Sequence, residues 1–358
     1  VRDGGILLYR GTPRGPGAAE GRLAVKVYAE ALGGYPRSER VRKLLRRLEE
    51  KGEAGYVEAL RAVWEDTLFI LGVQAGAGLD FLVDPVVEWH DPLRPFVEAW
   101  RNVAVDGLLR WFDNNFFYRI PVFTDAPDPK RYVVAPRVAQ LRQALPGFAR
   151  IKVVLPGPVT FTRLSRNRSG KSDEELAEDI AGILAREARR AAEEGAAAVQ
   201  LDEPWLADVD ATPDDAALAA ELASKILGEA KAAGAETRLA IQYNVPEPQV
   251  YERLLEAKNT DYIVIDVADA PEKAMKLLEA KGGPSGLGLG IVQARNIYPE
   301  HYGQVKPLIE RSVAAAKPER LLLTTSAWLD LIPLKYAVEK TNILGHIAGH
   351  ARKDLEQE

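Results

Sequence analysis

Nine apolar, strand-length segments alternate with helix-length ones, and several successive strands end on polar residues of one style. These two observations, with a chain of 358 residues that is 47% apolar, predict an α/β fold: a single (β/α)8 TIM barrel with an N-terminal extension and one extra strand. The reading places an arm at residues 1–23 and the barrel at 24–358. The clearest segment is 196–206, where a continuous apolar run reads as a parallel strand covered on both faces. Asp202 and Glu203 follow at its C-terminal end, where a barrel presents its ligand-binding mouth, and Pro204 turns the chain out of the sheet. An exposed acidic loop is the plainer reading of the same residues.

In chain order, residues 1–23 are rich in Gly and Pro with little apolar periodicity, as in an extended arm. Residues 25–32 read as a strand that leaves through Gly33-Gly34-Tyr35-Pro36-Arg37-Ser38, with Ser38 placed to cap a helix over 39–53. That helix carries Arg40, Arg42, Lys43, Arg46 and Arg47. Its first turn could cradle an anion, or its charges could form a solvated face. A second amphipathic helix is expected over 55–76 and a strand over 78–84, ending on Asp84. The loop 85–95 holds Glu88, Trp89, His90 and Asp91 without metal-ligand spacing, so His90 reads as a loop hydrogen bonder.

Residues 108–118 combine Trp111, Phe112, Phe116, Phe117 and Tyr118 with Asp113, Asn114 and Asn115. The expectation is a helix end, able to stack a flat ligand or to form an aromatic cluster capped by amides. A short strand follows at 119–123, another at 150–161 broken by Pro156-Gly157-Pro158, and a polar loop at 165–173. A helix over 173–194 leads into the central strand. Further strands are expected at 237–244, 261–266, 286–292 and 320–326, ending respectively on Gln242 and Asn244, on Asp266, on Gln293, Arg295 and Asn296, and on Ser326. The glycines of 282–290 precede a strand and so are not a dinucleotide fingerprint. His346 and His350, four apart on the last helix, read as a solvated face.

Composition narrows function. The net charge of -5, from 47 basic and 52 acidic residues interspersed along the chain, gives no basic block for nucleic acid. The absence of cysteine excludes disulfides, thiolate nucleophiles and sulfur-ligated zinc. One Met and 23 Pro suit a thermophile. No signal-peptide pattern and no apolar stretch near the ~20 residues of a membrane span are seen, so a cytoplasmic protein without membrane contact is expected.

Several motifs resemble one family, the cobalamin-independent methionine synthases. They are Gln200-Leu201-Asp202-Glu203-Pro204 and Gly157-Pro158-Val159-Thr160, which occur in both barrels of the two-barrel enzyme. Three more resemble its N-terminal barrel: Arg110 to Tyr118, similar to Lys-Trp-Phe-Asp-Thr-Asn-Tyr-His-Tyr; the opening turn Gly34-Tyr35-Pro36-Arg37; and Gly290 to Tyr298. Residues 326–333 are similar to that barrel's final serine-rich strand and loop.

The resemblance implies methyl transfer from 5-methyltetrahydrofolate polyglutamate to homocysteine, with zinc held by His, Glu and two Cys on the other barrel. Here Gln242-Tyr243-Asn244 stand where His-x-Cys would be, Asp266 at the Glu, and Ala327 near the last Cys. The expectation is therefore that this chain alone binds no cofactor, and that a separate zinc-bearing barrel does the chemistry. Arg40 and Lys43, on a turn about two residues shorter than the family's, and Arg110 in place of Lys keep positive charge where the N-terminal barrel holds the folate tail. Trp111, Asp113 and Asn115 would shape the nearby surface. Gln242, Asn244, Arg295 and Asn296 are further substrate-binding candidates, and Asp202, Glu203 and Asp266 are the barrel-mouth candidates for acid–base work. Two other readings remain open: a self-contained methyltransferase using those carboxylates, and a non-catalytic scaffold or ligand-binding barrel.

Overall fold

The computed structural model describes residues 25–51 and 55–356, so the expected arm at 1–23 lies outside the described residues. The strands, in chain order, are β1 (Lys26–Glu30), β2 (Leu82–Val83), β3 (Trp100–Arg110), β4 (Phe117–Pro129), β5 (Ile151–Pro156), β6 (Arg166–Asn167), β7 (Ala198–Asp202), β8 (Glu236–Ile241), β9 (Tyr262–Asp266), β10 (Gly286–Val292) and β11 (Arg320–Thr325). Eight of them form one parallel sheet in the order β1-β11-β10-β9-β8-β7-β5-β2. Every residue of β5, β7, β9 and β10 is buried, as a strand covered by barrel interior on one face and helices on the other must be.

The two edges of this sheet meet through Asp80, just before β2. Its backbone N–H donates to the Ala29 carbonyl at 2.8 Å, and its carboxylate accepts the Ala29 N–H at 2.7 Å. The predicted (β/α)8 barrel is thus the observed architecture, closed at one seam by the backbone and side chain of Asp80.

Within the barrel sits a fully buried charge network. Lys152 Nζ donates to Glu30 at 2.7 Å, to the carbonyls of Ala31 and Leu32, and to Gln200 Oε1 at 2.9 Å, while Arg238 reaches Glu30 at 3.1 Å. Against the opposing effect of burial, Arg238 and Lys152 hold the Glu30 carboxyl below its ordinary range.

The remaining strands lie outside the barrel. Residues 108–118, expected to end a helix, instead form the tip of an antiparallel hairpin in which β3 pairs with β4 from Trp100↔Pro129 to Arg110↔Phe117. The reason is local. The Trp111 N–H bonds the Phe116 carbonyl at 2.8 Å, and the buried Asn114 amide donates to the Trp111 carbonyl at 3.1 Å, so Asn114 closes a turn. The expected strand 119–123 is part of β4 and supplies the extra strand of the prediction. The expected loop 165–173 contains β6, which pairs with β4, and the strand expected at 78–84 contracts to two residues. Among the described residues no helix is long and apolar enough to cross a membrane.

Candidate ligand-binding site at the barrel mouth

At the C-terminal end of the parallel sheet, residues from β7 and from just beyond β8 and β11 converge on Asp202. Three donors meet its buried carboxylate: Gln200 Nε2 at 2.6 Å on Oδ1, and Gln242 Nε2 at 2.9 Å and Trp328 Nε1 at 2.8 Å on Oδ2. Burial outweighs these bonds and pushes the carboxyl up to about 6. The Trp328 indole lies directly over the opening turn. A Cβ on Gly33 would sit 2.0 Å from its Nε1, so glycine is what lets the indole reach the barrel axis. What remains beside Asp202, Gln242, Trp89, Trp111 and Trp328 is a space of about 10 Å³, roughly one water at most.

Glu203 points the other way. Its two oxygens accept the Val159 and Thr160 N–H groups at 3.0 and 2.7 Å, and Trp205 N–H bonds Thr160 Oγ1 at 3.1 Å. A Cβ on Gly157 would fall 2.0 Å from the Glu203 carboxyl carbon. The Gly157-Pro158-Val159-Thr160 turn and the Asp202-Glu203-Pro204 strand end are therefore one interlocked unit. Burial pushes Glu203 up to about 7.

Asp266, at the end of β9, accepts the Asp269 N–H at 3.0 Å on Oδ1, and its Oδ2 has no partner among the described residues. Burial first, and then the Asp269 carboxylate, push it well above the ordinary range. Asp269 is engaged in turn by Gln293 and by Arg295 at 3.0 Å. Arg295 also donates to the carbonyls of Tyr243 and Asp113, at 3.3 and 2.8 Å, which ties the hairpin tip to the mouth. Trp111 Nε1 donates to Tyr243 Oη at 3.1 Å. Asn244 is used locally by the Val245 N–H, and Asn296 by the Tyr298 N–H.

The structure separates the predicted residues into two groups. Asp202 and Gln242 share one hydrogen-bonded set with Gln200 and Trp328, and Asp266, Arg295 and Trp111 belong to a second that runs through Asp269 and Tyr243. Arg40, Lys43, Arg110, Asp113 and Asn115 are exposed, and the three cations pair with Glu65, Glu39 and Asp113.

Beside the mouth, sharing Trp89 and Trp328 with it, opens a cavity of about 600 Å³, walled by the turn 34–38, Arg42, Trp89, Asp91, Phe116, Trp328 and Asp330. Asp330 was not singled out in the sequence. It falls four residues beyond Ser326, the polar residue taken there as the strand end, and only the short 3-10 turn Leu329–Leu331 brings it back to the mouth. Burial, opposed by Arg37, pushes its carboxyl up to about 7.

The positions at which the family resemblance requires zinc ligands hold an amide (Gln242), a second amide (Asn244), a carboxylate (Asp266) and a methyl group (Ala327). Gln242 is bonded to Asp202 and Asp266 to Asp269. Among the described residues no group of three or more His, Cys, Asp or Glu is placed to hold a metal. This donor set does not fit a thiolate-bound zinc.

Comparisons with known proteins agree with this architecture. A family model described as "Cobalamin-independent synthase, Catalytic domain" matches residues 28–330. The 5-methyltetrahydropteroyltriglutamate–homocysteine methyltransferase of Bifidobacterium animalis subsp. lactis is 30% identical over 215 residues, covering 58% of this chain but only 27% of that protein. The methionine synthase of Thermococcus kodakarensis is 26% identical over 329 residues, covering 86% of this chain and 88% of that one. A B12-independent methionine synthase from Shewanella sp. W3-18-1, solved with selenomethionine, superimposes with a TM-score of 0.76 at 20% identity, over 93% of this chain and 99% of that one. The chain belongs to the cobalamin-independent methionine synthase family.

Proposed function

We propose that this barrel supports methyl transfer from 5-methyltetrahydrofolate polyglutamate to homocysteine by holding the folate tail, while a separate zinc-bearing barrel performs the chemistry. One observation carries the reading. The mouth is filled by Trp328 and built from amides and carboxylates, yet a 600 Å³ cavity opens beside it. That cavity borders the helix Glu39–Lys51, which carries Arg40, Arg42 and Lys43. The cations Arg40, Lys43 and Arg110 suit successive carboxylates of a polyglutamate, and Arg forks favour bidentate contacts. Their present partners are exposed acids that a ligand carboxylate would replace at little expense. Trp111, Asp113 and Asn115 frame the hairpin tip next to Arg110.

The filled mouth counts against a self-contained methyltransferase, because Asp202 and Glu203 are committed to hydrogen bonds inside the protein and only about 10 Å³ remains beside Asp202. The cavity counts against a pure scaffold. The test is the affinity of 5-methyltetrahydrofolate mono- and triglutamate for the wild type and for a chain carrying Arg40→Glu, Lys43→Glu and Arg110→Glu. The expected result is preference for the triglutamate, lost at least tenfold in the variant and weakened by salt. Equal affinity of both proteins for both ligands would overturn the assignment of the tail.

A further inference from the structure

We infer that His346 and His350, on the helix Leu334–Leu355, form a two-histidine chelate for a borderline divalent transition-metal ion, and that the bound ion clamps the helix just before it closes the barrel seam. Neither residue belongs to the mouth or to the cavity beside it, and the inference is independent of the folate reading.

Their spacing places the two residues on one solvated face, and the structure adds how the rings meet. Nε2 of His346 and Nε2 of His350 are 3.2 Å apart, with the ring centroids 4.7 Å apart and the planes inclined at 71°. Two imidazoles bound to one tetrahedral ion at the usual zinc–nitrogen distance of roughly 2.0–2.1 Å hold their nitrogens about 3.3 Å apart. The pair therefore already has the geometry of a chelate. Without an ion, one nitrogen carries a proton and donates it to the other; a metal ion takes the place of that single shared proton and accepts both lone pairs.

The rings differ in how they are held. His346 is exposed, whereas His350 is half-buried and stacks on Tyr302 of the neighbouring helix Tyr302–Ala316, at 5.0 Å and 18°. Tyr302 is fixed in turn by its hydroxyl, which donates to Asp354 at 2.6 Å. Asp354 lies one turn beyond His350 and puts negative charge near the site, offset by Lys306, which pairs with it at 2.6 Å. A ligand ring oriented by such neighbours loses less freedom on binding. Among the described residues no third His, Cys, Asp or Glu completes the set, so the other coordination positions are left to water. Imidazole ligands of this kind select copper, nickel or zinc over magnesium and calcium.

The clamp follows from what the same helix does next. Arg352 donates to the Val27 carbonyl at 3.2 Å and pairs with Asp80, the Leu355 carbonyl accepts the Val25 N–H at 3.3 Å, and Glu356 accepts the Val27 N–H at 2.8 Å. These contacts fasten the helix end to the first strand and to the seam. An ion joining residues four apart holds one helical turn immediately before them, and an ion that binds the folded chain and not the unfolded one stabilises the fold.

The test is calorimetric titration of the chelator-treated chain with nickel and with magnesium ions, and thermal melting with and without each. His346→Gln is the main variant, because it removes an exposed ring and leaves the stack of His350 on Tyr302 in place, so its metal-free melting curve should match the wild type. His350→Gln is the second. We expect one nickel ion per wild-type chain, no response to magnesium, at least a tenfold loss of nickel affinity in either variant, and a rise in melting temperature with nickel that both variants lack. Equal nickel affinity in the wild type and both variants would overturn the site. Magnesium binding as tight as nickel binding would overturn the imidazole chelate, and nickel binding with no rise in melting temperature would overturn the clamp.

Discussion

Replacing Asp202 by Asn tests whether this carboxylate is an anchor of the mouth. Its three donors cannot all be satisfied by one carbonyl oxygen. Gln200 cannot turn over to compensate, because its Oε1 is held by the Lys152 ammonium at 2.9 Å and its Nε2 also serves the Leu32 carbonyl. Gln242 can turn, since its Oε1 has no partner among the described residues. Even then either the Gln200 amide or the Trp328 indole keeps an unpaired buried N–H, at roughly 1–3 kcal/mol.

The pH dependence gives a second, independent signature. The folded carboxyl titrates at about 6, above its ordinary 3.8. Its contribution is therefore complete below the unfolded value and lost as pH rises through about 6. The stability difference between wild type and variant should therefore shrink by on the order of 1 kcal/mol between pH 5 and pH 8. Urea denaturation of both chains at the two pH values measures this directly. A difference that is the same at both, or a variant more stable at both, would refute the anchoring argument.

Two further substitutions probe the frame around the mouth. Lys152→Met strips a donor from Glu30, Gln200 and two carbonyls inside the barrel, and should destabilise by about 3–5 kcal/mol in denaturant unfolding, as expected when one partner of a buried pair is removed; a loss below about 1 kcal/mol would show that the network is dispensable. Gly33→Ala places a methyl group 2.0 Å from Trp328 Nε1, and should cost about 1–3 kcal/mol while moving the indole off Asp202, which shows as a change in tryptophan fluorescence; an unchanged spectrum and melting temperature would mean that the turn absorbs the methyl.

The barrel itself was legible because its strands are short apolar runs with polar C-terminal residues, and burial on both faces leaves little freedom in such segments. Asp202 was legible as a mouth residue because it ends a strand, whereas Trp111, expected to shape the surface beside the folate tail, is buried and bonded to Tyr243. The hairpin was misread. Aromatic density at 108–118 resembles a helix face, whereas the turn is specified by Asn114 bonding one backbone carbonyl, a contact with no periodic trace. Glu203 looked like a catalytic neighbour of Asp202, but adjacent residues on a strand point to opposite sides, and only the fold shows that its side is filled by the Val159 and Thr160 amides. Asp330 was hidden because its position depends on a turn after β11 and on a cavity formed by four distant segments.

The central claim is that this chain contributes folate binding to a methyl transfer completed elsewhere. Its most direct test is calorimetric titration of 5-methyltetrahydrofolate triglutamate into the chelator-treated chain, alone and with a zinc-bearing catalytic barrel of the family. The account predicts binding that appears or tightens when the second barrel is present and that weakens with Arg110→Glu. Absence of binding in both conditions, or methionine formation by the chelator-treated chain alone, would contradict it.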